Sequence, residues 1–145
     1  MFPVVLRKMR TLIGLLAISA LMPLSATTQA QTGYPNSWGW NYEGELGDGT
    51  FLERLKPVSV RNIKNVVELA GGYAHSLALD SSGSVWGWGY NEQGEVGDGT
   101  YNDNGLPFQT KMKHAVHIAS RGYHSLAVGF DGSLFAWGDN TNGEL

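Results

Sequence analysis

A thirteen-residue word is written twice in this chain and started a third time. Trp38-Gly39-Trp40-Asn41-Tyr42-Glu43-Gly44-Glu45-Leu46-Gly47-Asp48-Gly49-Thr50 returns as Trp88-Gly89-Tyr90-Asn91-Glu92-Gln93-Gly94-Glu95-Val96-Gly97-Asp98-Gly99-Thr100, and Trp137-Gly138-Asp139-Asn140-Thr141-Asn142-Gly143-Glu144-Leu145 begins it again. The steps between matching glycines, Gly44 to Gly94 and Gly94 to Gly143, are 50 and 49 residues. Such a period belongs to propeller blades and solenoid units, each a supersecondary module that cannot enclose its own apolar face and must stack on its neighbours.

The modules read as sheets. Apolar, β-prone runs of four to six residues alternate with glycine, asparagine and aspartate clusters, and no stretch carries a helical period. One unit reads as four strands, Val58–Val60, Val66–Ala70, His75–Leu79 and Ser84–Trp88; the next repeats them as Phe108–Thr110, Ala115–Ala119, His124–Val128 and Leu134–Trp137. Pro57 and Pro107 stand just ahead of the first strand of each set, which marks an outermost strand that starts at the proline. Ser81-Ser82-Gly83 and Phe130-Asp131-Gly132 supply the left-handed backbone angles of tight hairpins. Alternation puts Trp86 with Trp88, and Phe135 with Trp137, on one face, and Gly87 with Gly89 on the other. Bulky faces meeting glycine faces would let neighbouring sheets pack closely. The expected fold is all-β, a partial β-propeller of about two to two and a half four-stranded antiparallel blades.

Residues 1–30 read as a secretory leader. Arg7, Lys8 and Arg10 precede a 14-residue apolar run, Thr11 to Leu24, and then a small, polar stretch ending at Ala30. That run is shorter than the roughly 20 residues a spanning helix needs, which disfavours a retained anchor. Cleavage is expected after Ala30, with Ala26 as the alternative, and the secreted, periplasmic or cell-surface product would span 31–145 with no membrane insertion. Losing the leader removes three of ten basic residues and none of thirteen acidic ones, so a formal charge of 7 − 13 = −6 remains. An acidic module is a poor partner for nucleic acid or anionic lipid. The chain has no cysteine, so packing and hydrogen bonds alone must hold it.

The pattern Trp-Gly-x-Asn-x-x-Gly-x-Leu-Gly-x-Gly, with Ala-Gly-Gly-Tyr-Ala-His-Ser-Leu-Ala-Leu from Ala70 to Leu79, resembles the repeat of the regulator of chromosome condensation family. The resemblance runs from about Asn36 to Leu145 and implies an exported bacterial member built as a circular propeller, commonly of seven four-stranded blades. Against that size the chain reads as truncated (31–50 the end of one repeat, 51–99 a second, 100–145 an incomplete third), or as one of several copies that assemble into a ring. Two positions depart from the pattern. Arg121 stands in the place of Gly72, with Gly122 next to it as the substitute for the special backbone position, and Asn36 stands where the other copies have Trp86 and Phe135.

His75-Ser76 and His124-Ser125, with Asp80 as orienting acid, have the residue types of a nucleophile and its base. Consecutive strand residues point to opposite faces, so a structural hydrogen bond is the expected role instead. His114 and His117 are three apart, wrong for a shared face on a strand, and no metal site is expected. Gly-Asp-Gly-Thr at 47–50 and 97–100 lacks both the lysine of a phosphate loop and the closing glutamate of a calcium loop, so it reads as a turn. No catalytic, metal or cofactor residue is therefore assigned.

Loops carry what a rigid scaffold displays. The candidate partner-binding residues are Tyr42, Glu43, Phe51, Glu92, Gln93 and Tyr101, although Phe51 and Tyr101, matched in both copies, also suit packing between units. The expected function is a non-enzymatic scaffold that binds another protein or a cell-surface component, with self-association through open blade edges. The resemblance adds two alternatives: an inhibitor of a secreted enzyme such as a β-lactamase, and a guanine-nucleotide exchange regulator.

Overall fold

A computed structural model describes residues 33–145. The leader expected over 1–30 and both cleavage points lie outside the described residues. Nine strands follow one another: β1 Asn36–Gly39, β2 Arg54–Ser59, β3 Val66–Gly71, β4 His75–Asp80, β5 Val85–Gly89, β6 Asn104–Gln109, β7 Ala115–Arg121, β8 His124–Gly129 and β9 Leu134–Gly138. There is no helix among the described residues. The strands form three antiparallel sheets, β1-β2, β3-β4-β5-β6 and β7-β8-β9. The all-β class and the blade-like modules expected from the repeat are therefore present.

The phase of the modules differs from the expected one. β2 pairs with β1 rather than with β3, and β6 closes the sheet begun by β3, so the complete four-stranded module runs from Val66 to Gln109. A period fixes the length of a unit but not where it starts; here the long loop after each Trp-Gly pair carries the chain back beside the strand it has just left. The prolines are corrected too. Pro57 and Pro107 are the fourth residues of β2 and β6, not the residues ahead of them. β6 is the outermost strand of its sheet, and an edge tolerates a residue that cannot donate to a ladder.

The central sheet feeds two cores. Leu77, Leu79 and Val85 pack on Ala115, Ile118 and Ala127 of the third sheet, whereas Ala78 and Trp88 pack with Val60, Ile63 and Val66, with Trp86 alongside. Alternation along β4 thus sends successive side chains into opposite cores, and each core lies between modules rather than within one.

Glycines make the close approach possible. Gly89, Gly39 and Gly138, each following a repeat tryptophan, have φ of +99°, +109° and +104°, and a Cβ on Gly89 would lie 2.5 Å from the carbonyl oxygen of Ala74. A Cβ on Gly87 would lie 2.3 Å from the carbonyl oxygen of Val96. Gly83 and Gly132 take the left-handed angles their hairpins require. Gly72 has no left-handed φ and is confined instead by the ring of His75, 2.2 Å from its notional Cβ, so Gly122, at φ +60° in the place of Tyr73, does not stand in for a special backbone position at Gly72 as the sequence suggested.

Antiparallel order also sorts the connections. Loops 40–53 and 90–103, turns 72–74 and 122–123 and residues 139–145 share one end of the modules, here the loop end; 60–65, 81–84, 110–114 and 130–133 share the other, the hairpin end.

Two alanine substitutions separate space from backbone angle. Gly99 has φ +85° with nothing within 4 Å of its notional Cβ, so Gly99→Ala should cost about 1–2 kcal/mol, the left-handed penalty alone. Gly87→Ala must displace backbone and should cost about 3 kcal/mol or prevent folding. Urea unfolding of both variants tests this, and equal losses would contradict it.

Candidate functional site

Each copy of the repeated word folds around a buried asparagine. Asn41 Oδ1 accepts from the Leu46 amide at 2.9 Å, while its Nδ2 donates to the carbonyls of Thr50 at 2.9 Å and Leu52 at 3.1 Å. Asn91 does the same with the Val96 amide at 2.9 Å and the carbonyls of Thr100 at 3.1 Å and Asn102 at 3.0 Å. Asp48 accepts from the Thr50 amide and hydroxyl and holds Arg54 at 2.7 Å, so the Gly-Asp-Gly-Thr words are turn chemistry, as expected.

The folded word then grips the next module. The Glu45 carbonyl accepts from Trp88 Nε1 at 2.8 Å and Ser76 Oγ at 3.0 Å; the Glu95 carbonyl accepts from Trp137 Nε1 at 2.8 Å and Ser125 Oγ at 2.9 Å. One backbone oxygen thus takes two donors from the neighbouring sheet, twice over.

The histidine–serine pairs belong to this junction. His75 is buried, and its Nε2 meets Ser125 Oγ at 2.9 Å and Ser120 Oγ at 2.8 Å across the boundary, not Ser76 beside it. The hydroxyls of Ser125 and Ser120 donate to the carbonyls of Glu95 and His124, so the network is satisfied when Nε2 carries the proton and donates to both. A base must offer a lone pair to its nucleophile; this imidazole presents an N–H. Its Nδ1 is buried without a partner, and Asp80 is engaged elsewhere, by Ser82, Ser84 and Trp86. Burial, assisted by the neighbouring His124, pushes the His75 pKa down to about 4. His114 lies in a connecting turn at φ +58°, the place Asn65 takes at +57° one module earlier, and exposed His117 on β7 lies 3.4 Å from Glu68.

The sequence-derived binding candidates all fall on the loop end. Tyr42, Tyr101, Glu92 and Gln93 are exposed and Glu43 is half-buried. Phe51 is half-exposed, with its ring against Gly44 and against Gly105 of the next sheet, which is the inter-unit packing its repetition suggested; Tyr101 at the matching position is 72% exposed.

Sequence reasoning missed the aromatic residues that the turns bring to the same end. Tyr73 and Tyr123 lie 5.2 Å apart by ring centroids, Tyr123 and Tyr90 lie 5.7 Å apart, and the Tyr90 phenol donates to Glu92 Oε2 at 2.9 Å. Trp40 meets Tyr42 edge-on at 4.4 Å. Trp40 and Tyr90 share one place in the repeated word, but the turn tyrosines do not repeat: Tyr73 and Gly122 occupy equivalent places, as do Ala74 and Tyr123. Departure from the repeat was the available signal.

Charge is polarised along the same axis. All acidic residues except Glu68, Asp80 and Asp131, ten of the thirteen, lie on the connections of the loop end, and none of those connections contains lysine or arginine. The hairpin end carries Arg61, Lys64, Lys111 and Lys113. Burial raises the carboxyl of Glu43, and the adjacent Asp103 adds to it; burial likewise raises that of Glu95, whose Oε1 has no hydrogen-bond partner among the described residues. Burial and the Glu92 hydrogen bond push the Tyr90 phenol up to about 12.

Comparison with known proteins agrees with this architecture. Two models described as regulator of chromosome condensation (RCC1) repeat match, one over residues 37–79 and 82–128, the other over 66–95 and 115–144. Alsin from Rattus norvegicus is 42% identical over 72 residues, 47% of this chain and 4% of alsin; the ultraviolet-B receptor UVR8 of Arabidopsis thaliana is 39% identical over 54 residues, 34% of this chain and 12% of the receptor. Among solved structures, human WBSCR16 aligns with a TM-score of 0.66 at 28% identity, covering 73% of this chain and 29% of that one. Yeast RCC1 (Prp20) bound to Kap60 aligns with a TM-score of 0.59 at 25% identity, covering 73% and 26%. The chain thus spans less than a third of the length of each of these proteins.

Two measurements test the site's architecture. An unfolded His75 titrates near 6.5 and a folded one near 4, so the unfolded chain binds the extra proton between those values. Stability should be complete above pH 6.5 and fall by about 3 kcal/mol as pH drops to 4 and below. The difference between wild type and His75→Gln isolates this effect, since the raised carboxyls of Glu43 and Glu95 act with the opposite sign; parallel stability curves would refute it. Asn91→Ala leaves buried loop groups unpaired and should cost about 3 kcal/mol while speeding amide exchange across 90–103. Gln93→Ala, on the exposed surface, should stay within about 0.5 kcal/mol.

Proposed function

We propose a function from one established fact: this chain belongs to the regulator of chromosome condensation (RCC1) repeat family. It is a non-enzymatic scaffold that binds another protein through the loop end of its modules. The observation that carries this reading is the set of aromatic side chains gathered there, exposed Tyr73, Tyr123, Trp40 and Tyr42 with half-buried Tyr90, beside long loops that the buried Asn41 and Asn91 hold stiff. Rigid aromatic anchors with one polar tip are what protein interfaces favour. Protein binding is also what the solved neighbours are described with: yeast RCC1 (Prp20) in complex with Kap60, and Prp20p of Saccharomyces cerevisiae, 26% identical over 74% of this chain with a TM-score of 0.56, with binding properties toward Gsp1p and histones. In this proposal residues 1–30 act as a secretory leader and the protein works outside the cytoplasm.

The test is capture from culture supernatant on immobilised full chain, with wild type, a Tyr42→Ala/Tyr101→Ala variant of the loop end and Phe130→Ala at the hairpin end. One dominant protein should be retained by wild type and Phe130→Ala and fall at least tenfold with the double variant. Retention by all three alike, or by none, would end this reading.

A further inference from the structure

The loop end combines an aromatic row with a carboxylate and a one-signed field, and that combination selects a ligand charge. Resting on the scaffold reading above, we propose that Tyr73, Tyr123, Tyr90 and Glu92 form the seat for a cationic segment of a protein partner, with an arginine side chain laid over the outer face of Tyr73.

Four observations converge on this occupant. Tyr73 is 76% exposed although its ring leans on Tyr123 at 5.2 Å with the ring planes tilted by 39°, so most of its surface stays open to solvent. An open tyrosine face is electron-rich and attracts a guanidinium or ammonium group. The row continues through Tyr123 to Tyr90 and ends on Glu92, whose carboxylate the Tyr90 phenol holds in place at 2.9 Å. A fixed carboxylate accepts a guanidinium with both geometry and charge.

The surroundings carry the same sign. Ten of the thirteen acidic residues lie on these connections and none of the connections carries a lysine or arginine. Of the cations that border the loop end, Arg54 is held by Asp48 at 2.7 Å and half-buried His124 heads β8, which leaves Arg121 at the end of β7 as the exposed one. The seat therefore has little of its own charge to neutralise it. Arginine suits both ends of the row better than lysine: one planar guanidinium stacks on Tyr73, and a second, farther along the segment, donates in its plane to the Glu92 carboxylate at the other end.

The experiment titrates the full chain with an octapeptide of alternating glycine and arginine, its lysine and glutamate counterparts, and a glycine–serine octapeptide, at low salt, by calorimetry. The arginine peptide should bind, the lysine peptide several-fold more weakly, and the other two not at all. Tyr73→Leu keeps the bulk but removes the π face and should weaken the arginine peptide about three- to fivefold; Tyr73→Phe should restore it; Glu92→Gln should weaken it about threefold; Phe130→Ala should leave it unchanged. Absence of binding, or binding that Tyr73→Leu leaves intact, overturns the proposal, the second outcome assigning the attraction to net charge alone. Such a failure, alongside a captured partner that the Tyr42→Ala/Tyr101→Ala variant loses, removes only the cationic occupant, whereas loss of end-specific capture removes the scaffold reading itself.

Discussion

The backbone oxygens of Glu45 and Glu95 hold this protein together. Each accepts an indole N–H and a serine hydroxyl from the following sheet, and those four bonds are the polar seam along which one module recognises the next. The seam determines what must lie on either side of it. A carbonyl can meet two donors only if the loop that carries it is stiff, which the buried Asn41 and Asn91 ensure, and only if it approaches the tryptophan closely, which leaves no room for a side chain at Gly47 or Gly97. A Cβ there would lie 2.8 Å and 2.9 Å from the indole nitrogens of Trp88 and Trp137. The repeated word is therefore a description of one interface, and its invariance between copies follows from the geometry of a shared oxygen rather than from any reaction.

That logic explains how much of the fold could be read in advance. Glycine and aspartate clusters marked the hairpins, alternation paired Trp86 with Trp88, and the period gave the module size; all of these are local properties, visible within a few residues. The phase was not local. Whether β2 belongs with β1 or with β3 depends on where the long loop returns the chain, and that is set by Asn41 reaching across to Thr50 and Leu52, eleven residues away at the farthest. The histidine–serine contact was legible as structural but not as to its partner: alternation forbids His75 from meeting Ser76, yet only the packed modules reveal that Ser125, fifty residues on, takes its place.

The candidate surface was half legible for a related reason. Loop residues such as Tyr42 and Glu92 announce themselves in the sequence because they interrupt a word otherwise held constant, and Tyr101 because it follows that word where Phe51 does. Tyr73 and Tyr123 also break the repeat, but the sequence does not show that they meet: they become neighbours because Tyr73 donates its amide to the Gly122 carbonyl of the next module at 2.7 Å. Stacked modules thus convert positions about one period apart in sequence into adjacent positions in space, and any residue that breaks the repeat on such a row creates a local surface found once in the molecule.

This separation of duties bears directly on function. The groups with catalytic residue types, buried His75 and Ser125, are consumed by inter-module bonding, and a chemistry requiring one poised base and one poised nucleophile finds His75 already donating its proton to the serine it would have to activate. What remains for recognition is the part that does not recur, and here it carries a direction as well as a shape. Acidic connections at one end and basic ones at the other give the modules a dipole along the strand axis, so a cationic partner meets an attractive field before it meets a side chain. The field sets the end at which encounter occurs; the fixed spacing of Tyr73, Tyr123 and Tyr90, set by backbone bonds between modules, determines what can stay.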